Sequence, residues 1–425
     1  MLKTMTDDRF LENFLEKVRG TLYQRLGESE QNFLKELYKQ FRFSHQELKM
    51  LVDMSLDLDA WQEPGLSGMY GRSSIPPEAD KRQVFLLLRE HYEKTKTELK
   101  TYQRTKPKKH EQPKLKFEKI SKKHTIFGSC PVRSDQTVCC NLRTLDLVLN
   151  CGFGCSYCCI QTFSERNQGK IYFHEDLEKK LDAIDIDPDT WIHIGTGQAS
   201  DSLMWGNQSG ILDHLCAFVR KHPKVILELK SKSKNVSYFK DHDIPKNIFC
   251  AWSLNPQIVI DHEEHLTASL EERLHAARQV ADRGIKVAFH LHPILYFDEW
   301  EKEYHALTQR ILSLFQPQEV LFVSMGTLHF IKPVLREIRE SLIKTKVHQM
   351  SFVKNPEGKY TYPMDIKEDI FRGVFSGFSP WHDKIFYYLC MESHELWMKI
   401  FQKCYASNDE FEKDFLSMLA HKMRL

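Results

Sequence analysis

The chain has 425 residues, 41% of them hydrophobic and 28% charged, with a formal net charge of +2 and eleven cysteines. That length exceeds the usual single domain, so two units are expected, and no run of eighteen apolar residues or apolar signal region at MLKTMTDDRF points to membrane spanning or export. A cytoplasmic protein is implied, in which cysteines serve metal ligation or buried packing rather than a disulfide framework.

Residues 1 to about 100 read as a helical domain. Phe10, Leu11, Phe14, Leu15, Val18 and Leu22 keep a helical period, and Phe33, Leu34, Leu37 and Phe41 repeat it. Ser44-His45-Gln46-Glu47 forms a capping box ahead of the apolar stretch Leu48 to Leu58. Another helix is expected from Pro77 to about Lys96. Nothing here suggests chemistry, so a scaffold or docking role is the default. Residues 101–140 follow as a basic linker with cysteines. Between His91 and His124 stand twelve Lys or Arg against four acids, interrupted by Pro107 and Pro113. The stretch 94–123 can neutralise phosphates as a DNA-binding arm, or serve as a solvated connector.

From Leu145 the pattern changes to short apolar runs alternating with amphipathic helices, the signature of parallel βα units. Strands are predicted at 145–149, 191–195, 225–230, 248–254, 286–292 and 320–325. Helices are predicted near 174–184, 210–221, 269–283, 299–315 and 331–343. Six strands are too few for a closed eight-stranded barrel, which leaves an open partial barrel or a doubly wound sheet over 141–345. Either places the active site at the carboxyl ends of the strands. Residues 346–425 read as a mostly helical C-terminal extension.

After the first of these strands comes CGFGCSYC, with Cys151, Cys155 and Cys158 at C-x3-C-x2-C. Three thiolates can ligate three irons of a [4Fe-4S] cluster and leave the fourth open to a reactant. Half of a zinc site or a redox pair at Cys155 and Cys158 is the competing reading. No second pair follows within sixty residues, however, and neither rival explains Cys151 or the glycines Gly152 and Gly154. The loop GTGQASD, Gly195 to Asp201, follows the next strand and lets a ligand approach backbone amides. Alternation then sets Glu228, Lys230 and Lys232 on one face, an odd choice for a buried strand unless the lysines meet anions. His290 and His292 share a face of a later strand; such a pair can bind metal, but more often serves as hydrogen-bonded core or substrate contact. Cys130, Cys139 and Cys140 lie upstream of the loop with no evident fourth ligand, which favours packing over a second metal.

The cysteine loop, ELKSKSKNV from Glu228, CAWSLNP from Cys250, the stretch TASLEERLHAARQVADRGIKVAFHLHPI from Thr267, VSMGTLHF from Val323 and FYYLCMESHELW from Phe386 together resemble spore photoproduct lyase and its radical-SAM relatives. The resemblance spans about 145 to 400. It implies a partial (β/α)6 barrel in which the cluster's open iron chelates S-adenosylmethionine, whose reductive cleavage yields a 5′-deoxyadenosyl radical. By motif position Ser200, Asp201, Lys232 and Ser253 resemble cofactor contacts, and Tyr157 matches a tyrosine near the cofactor. The lyase's substrate is a thymine dimer in DNA, flipped from the stack, and its electrons come from a donor of the flavodoxin or ferredoxin type.

Two departures bear on mechanism. Gln198 stands where the lyase carries its hydrogen-donating cysteine, and Cys159 stands where a radical-relaying tyrosine follows the third cluster cysteine. Cys159 is therefore a candidate donor, with a small buried thiol as the bland alternative. DNA photoproduct repair leads the functional expectations. An enzyme of the same architecture acting on RNA or another substrate, and a nucleic-acid-binding protein with a structural cluster, stand behind it.

Overall fold

The computed structural model describes residues 2–71, 79–105, 107, 114–120, 125–131, 134–158, 169–341 and 343–425. The chain forms two compact units, residues 1–100 with 332–351, and residues 101–331 with 352–425.

The first unit is helical: Leu2–Lys17, Glu28–Phe41, His45–Trp61, Leu66–Tyr70, Lys81–Thr97 and Lys332–Ser341. The Ser44 capping box closes both ways, with Glu47 N donating to Ser44 Oγ at 3.3 Å and Ser44 N to Glu47 Oε2 at 2.6 Å. Asp80 and Gln83 cap Lys81–Thr97 in the same manner. Phe14, Leu34, Leu37, Leu48, Leu51, Trp61 and Leu88 fill the core. Within it lies Asp57, which accepts from Arg339 Nε and Nη2, both at 2.7 Å, and from Tyr92 Oη at 2.7 Å, with His348 Nε2 at 3.2 Å. These bonds hold its carboxyl far below the usual range, against the burial that opposes charge. The helix expected near 331–343 in the α/β region thus packs within the helical unit.

The second unit carries an eight-stranded sheet: β1 (Phe127–Ser129), β2 (Arg143–Leu145), β3 (Ile192–Thr196), β4 (Val225–Ser231), β5 (Ile248–Ser253), β6 (Val287–Leu291), β7 (Val320–Met325) and β8 (Phe386–Leu389). Every strand is hydrogen-bonded to its successor, so the spatial order is the chain order. β1 and β2 are antiparallel and all later neighbours parallel. A doubly wound sheet needs a reversal of strand order, and this sheet has none. Right-handed crossovers in one direction put the intervening helices, such as Ile211–Lys221, Leu270–Asp282 and Trp300–Leu314, on one face. Ser269 and Glu272 form the capping box that starts Leu270–Asp282.

One expectation needs correction. The run 145–149 splits: Leu145 ends β2, with Asp146 N still bonding Ile126 O at 2.8 Å in the β1–β2 register, while Val148–Leu149 pairs with Lys170–His174 in a second sheet. The C-terminal extension carries the helices Met364–Gly377, His394–Phe401 and Asn408–Met423, and among them the strand β8, which was not predicted. Four residues of sequence FYYL are too short for periodicity to separate strand from helix. No described helix is long and apolar enough to cross a membrane.

Candidate active site

The cysteine loop is fixed by a short antiparallel pairing, Cys155 opposite Glu264 and Gly154 opposite His265. Ser156 N donates to Glu263 O at 2.9 Å, the Ser156 hydroxyl donates to the Glu263 carboxylate, and Tyr102 Oη reaches Glu263 Oε1 at 2.9 Å. Gly152 lets the loop pack closely, since a Cβ there would stand 3.0 Å from Trp205 Cη2 and 2.5 Å from Met204 Cε, the far end of a flexible side chain. Cys155 is buried, while Cys151 and Cys158 are partly exposed. Burial, with Asp201 nearby, pushes the Cys151 thiol up to about 11. Burial also pushes the Cys155 thiol well above its ordinary value, opposed by Lys232, while Cys151 and Cys158 both lie within its electrostatic reach.

Among the described residues no three His, Cys, Asp or Glu side chains converge as a single metal ion demands. A [4Fe-4S] cluster makes no such demand, because each thiolate binds a different iron. Three neighbouring thiols with an ammonium group beside them suit an anionic cluster.

A buried carboxylate that sequence reasoning passed over organises the surroundings. Glu264 Oε1 accepts from Tyr157 Oη at 2.5 Å and Asn255 Nδ2 at 2.8 Å, with Lys232 Nζ at 3.7 Å. Its Oε2 lies 2.6 Å from Arg273 Nη2, both side chains being fully buried. Although burial opposes the charge, Arg273 and Lys232 bring its carboxyl down to about 2. Arg273 also donates to Ser253 O at 2.8 Å and Ala268 O at 2.9 Å, tying the end of β5 to its helix. The visible signal was an arginine inside the apolar stripe Leu270, Leu274, Ala277. Burial and Glu264 hold the Tyr157 phenol well above its ordinary value.

The candidates sit at the ends of successive strands. Ser200 is buried after β3, its Oγ accepting from Trp205 Nε1 at 2.9 Å. Asp201 accepts from Leu203 N, Met204 N, Ser231 Oγ and Lys232 N at 2.7–3.0 Å, so its carboxylate holds the loop to the end of β4. Lys232 is 14% exposed, with its Nζ 5.8 Å from the centroid of the Tyr157 ring. Ser253 ends β5, buried. Cys159 lies outside the described residues, as do Lys106, Lys108, Lys109, Lys122 and Lys123 of the basic stretch.

One layer deeper, Glu228 bridges His290 Nε2 at 2.6 Å and His193 Nε2 at 2.9 Å. Ser324 Oγ joins His290 Nδ1 at 2.6 Å and His292 Nε2 at 3.0 Å. The two histidines at His290 and His292 therefore belong to a hydrogen-bonded interior. Burial, reinforced by Lys230, lowers His290 to about 4, keeping it neutral near pH 7. Of the basic stretch, Lys116–Ile120 forms a strand beside Lys170–His174, and Arg104 bonds Glu299 at 2.5 Å.

Comparison with known proteins gives a consistent result. The sequence profile described as "Spore photoproduct lyase" matches residues 132–376, more than half the chain. The spore photoproduct lyase of Clostridium acetobutylicum is 25% identical over 236 residues, which cover 53% of this chain and 70% of that protein. The Geobacillus spore photoproduct lyase is 28% identical over 166 residues, 36% of this chain and 49% of that one. A solved structure of a spore photoproduct lyase mutant with bound AdoMet and dinucleoside spore photoproduct superposes with a TM-score of 0.54 at 21% identity, covering 64% of this chain and 80% of its own. With the profile spanning the sheet from the cysteine loop through β7, this chain belongs to the spore photoproduct lyase family.

Proposed function

We propose that this chain is a radical-SAM lyase that repairs thymine photoproducts in DNA. The observation that carries the reading is the placement of Lys232, Ser200 and Ser253 at strand ends around a three-thiol loop, within the segment that matches the family. The sequential sheet is read as the wall of a partial (β/α)6 barrel, with Cys151, Cys155 and Cys158 holding a [4Fe-4S] cluster at its mouth. When bound, that cluster and S-adenosylmethionine supply the electron transfer and the carbon radical that abstracts hydrogen.

The chain's own residues orient and shield. The Lys232 ammonium would hold the cofactor carboxylate by a charge-assisted bond. The Ser253 and Ser200 hydroxyls suit the amino group and ribose, and Asp201 fixes the loop that presents Ser200. Glu264 sets both Tyr157 and Lys232 in place, and its full burial keeps water from the loop's rear. On the exposed strand Lys116–Ile120, Lys116, Lys119 and the solvent-facing Phe117 suit phosphate contact and base stacking. The electron donor is of the flavodoxin or ferredoxin class.

Anaerobically reconstituted protein given S-adenosylmethionine and reductant should form 5′-deoxyadenosine, and ultraviolet-irradiated oligonucleotide should lose its photoproduct. Absence of 5′-deoxyadenosine would return the cluster to a structural role. Gln198, where a thiol is expected, favours a second reading, in which the same machinery acts on RNA or another substrate. Formation of 5′-deoxyadenosine with irradiated DNA left unchanged would select it.

A further inference from the structure

Removal of a hydrogen atom from a substrate carbon, followed by release of a closed-shell product at the same redox level, calls for a hydrogen atom to return to carbon. Among side chains a thiol holds its hydrogen most weakly, and Gln198 has none to give. The structure gathers four thiols elsewhere. Cys130 follows β1, its N–H bonding Leu142 O at 2.9 Å and extending the β1–β2 pairing. Val138 then bridges Glu392 in antiparallel sense, N to O 3.1 Å, a register that sets Cys140 across from Cys390. Cys139 N is held by Asn408 Oδ1 at 2.8 Å, and the Cys140 thiol bonds Cys139. The fourth cysteine absent from the sequence reading is thus Cys390, reached across some 250 residues of chain.

Cys390 continues β8, its N–H on Met325 O at 2.8 Å. That is the carboxyl end of the sheet, the end at which Ser200, Lys232 and Ser253 stand. Its neighbour Gly326 leaves room for the His292 ring, 3.3 Å from where a Cβ would be. Lys230, on the Glu228 face of β4, lies within electrostatic reach of both His292 and Cys390. The Cys390 thiol therefore belongs to the interior that holds Glu228, His290 and Ser324. Burial raises the Cys390 thiol, and the bond with Cys139 together with burial raises that of Cys140, so both stay protonated. Disulfide exchange and metal ligation require thiolates, whereas hydrogen-atom donation requires the S–H bond that these residues retain.

We propose that Cys390 is the hydrogen-atom donor of this chain, with Cys140 and Cys139 packed behind it; the assignment rests on the radical reading above. The S–H bond of Cys390 breaks homolytically and its hydrogen forms a C–H bond at the substrate carbon radical. A closed-shell product and a Cys390 thiyl radical result. One electron from the enzyme's one-electron reductant and one proton from water restore the thiol.

Two measurements test this. Cys390→Ser, which keeps the size but removes the weak bond, should still form 5′-deoxyadenosine while losing most product per 5′-deoxyadenosine. In D2O the wild type should place deuterium in the product and the variant should not. Unchanged yield and deuterium content in the variant would overturn the assignment while leaving the radical reading intact; a wild type that makes no 5′-deoxyadenosine overturns both.

Discussion

Each unit is organised around a buried carboxylate paired with an arginine, yet the two carboxylates hold different things. Asp57 collects Arg339, His348 and Tyr92, all of them structural residues of the helical unit. Glu264 collects Arg273 and Asn255, which tie helix to sheet, but also Tyr157 and Lys232, which flank the cysteine loop. A hub whose partners all lie within the core contributes stability; one with partners at the cysteine loop also fixes that loop's position. The chemistry of the two hubs is alike, so the difference lies in where the partners lead.

The largest expected effect lies beyond either hub. Cys155→Ala should abolish iron incorporation and 5′-deoxyadenosine formation while leaving the fold intact, as read by iron analysis and circular dichroism. Retained iron at the wild-type ratio would remove Cys155 from the ligand set. Asp57→Ala comes next. Deleting one member of a buried ion pair costs about 3–5 kcal/mol, so denaturant unfolding should weaken by that order. Cofactor affinity of the folded protein should not change. Glu264→Gln should cost a similar amount by stranding Arg273, but should also weaken S-adenosylmethionine binding, because Lys232 and Tyr157 lose their anchor. If equilibrium dialysis finds equal cofactor affinity in the two variants, the distinction between the hubs fails.

Much of this arrangement was legible beforehand, for physical reasons that also mark the limits. The apolar runs of β3 to β7 and the capping box at Ser44 are local signals, and the observed elements follow them closely. The cysteine spacing and the lysines of β4 stood out because charge and thiol are rare where apolar residues are expected. Glu264 did not, since it follows Glu263 at the polar end of a short helix and acquires meaning only from Arg273 and Tyr157, brought in by the fold. Cys390 was hidden for the same reason: its link to Cys140 is a cross-strand register between distant segments, invisible to any window along the chain. β8 escaped because four residues carry too little periodicity.

Lys232→Met then separates binding from position within the Glu264 hub. Removing one charge-assisted bond costs about 1.5–3 kcal/mol, which should appear as weaker cofactor binding with little change in unfolding, since Arg273 still neutralises Glu264. Unchanged cofactor affinity would assign the carboxylate contact to another group.

Acid should distinguish the two units without any mutation. His290 is held neutral at about 4 against an ordinary 6.5, surrounded by Glu228, His193, Lys230, Ser324 and His292. A depressed histidine contributes stability that is full above pH 6.5 and is lost as pH falls towards 4, about 2 kcal/mol of it by pH 5. The carboxyl of Asp57 is depressed from a reference near 3.8, so its contribution persists down to about pH 4 and declines only below. Between pH 6.5 and 4.5 the α/β unit should therefore lose protection first, read by amide hydrogen exchange on β4 and β6 against the helix His45–Trp61. His290→Asn should flatten that pH dependence. Earlier loss in the helical unit would show that its pH sensitivity lies elsewhere than in Asp57.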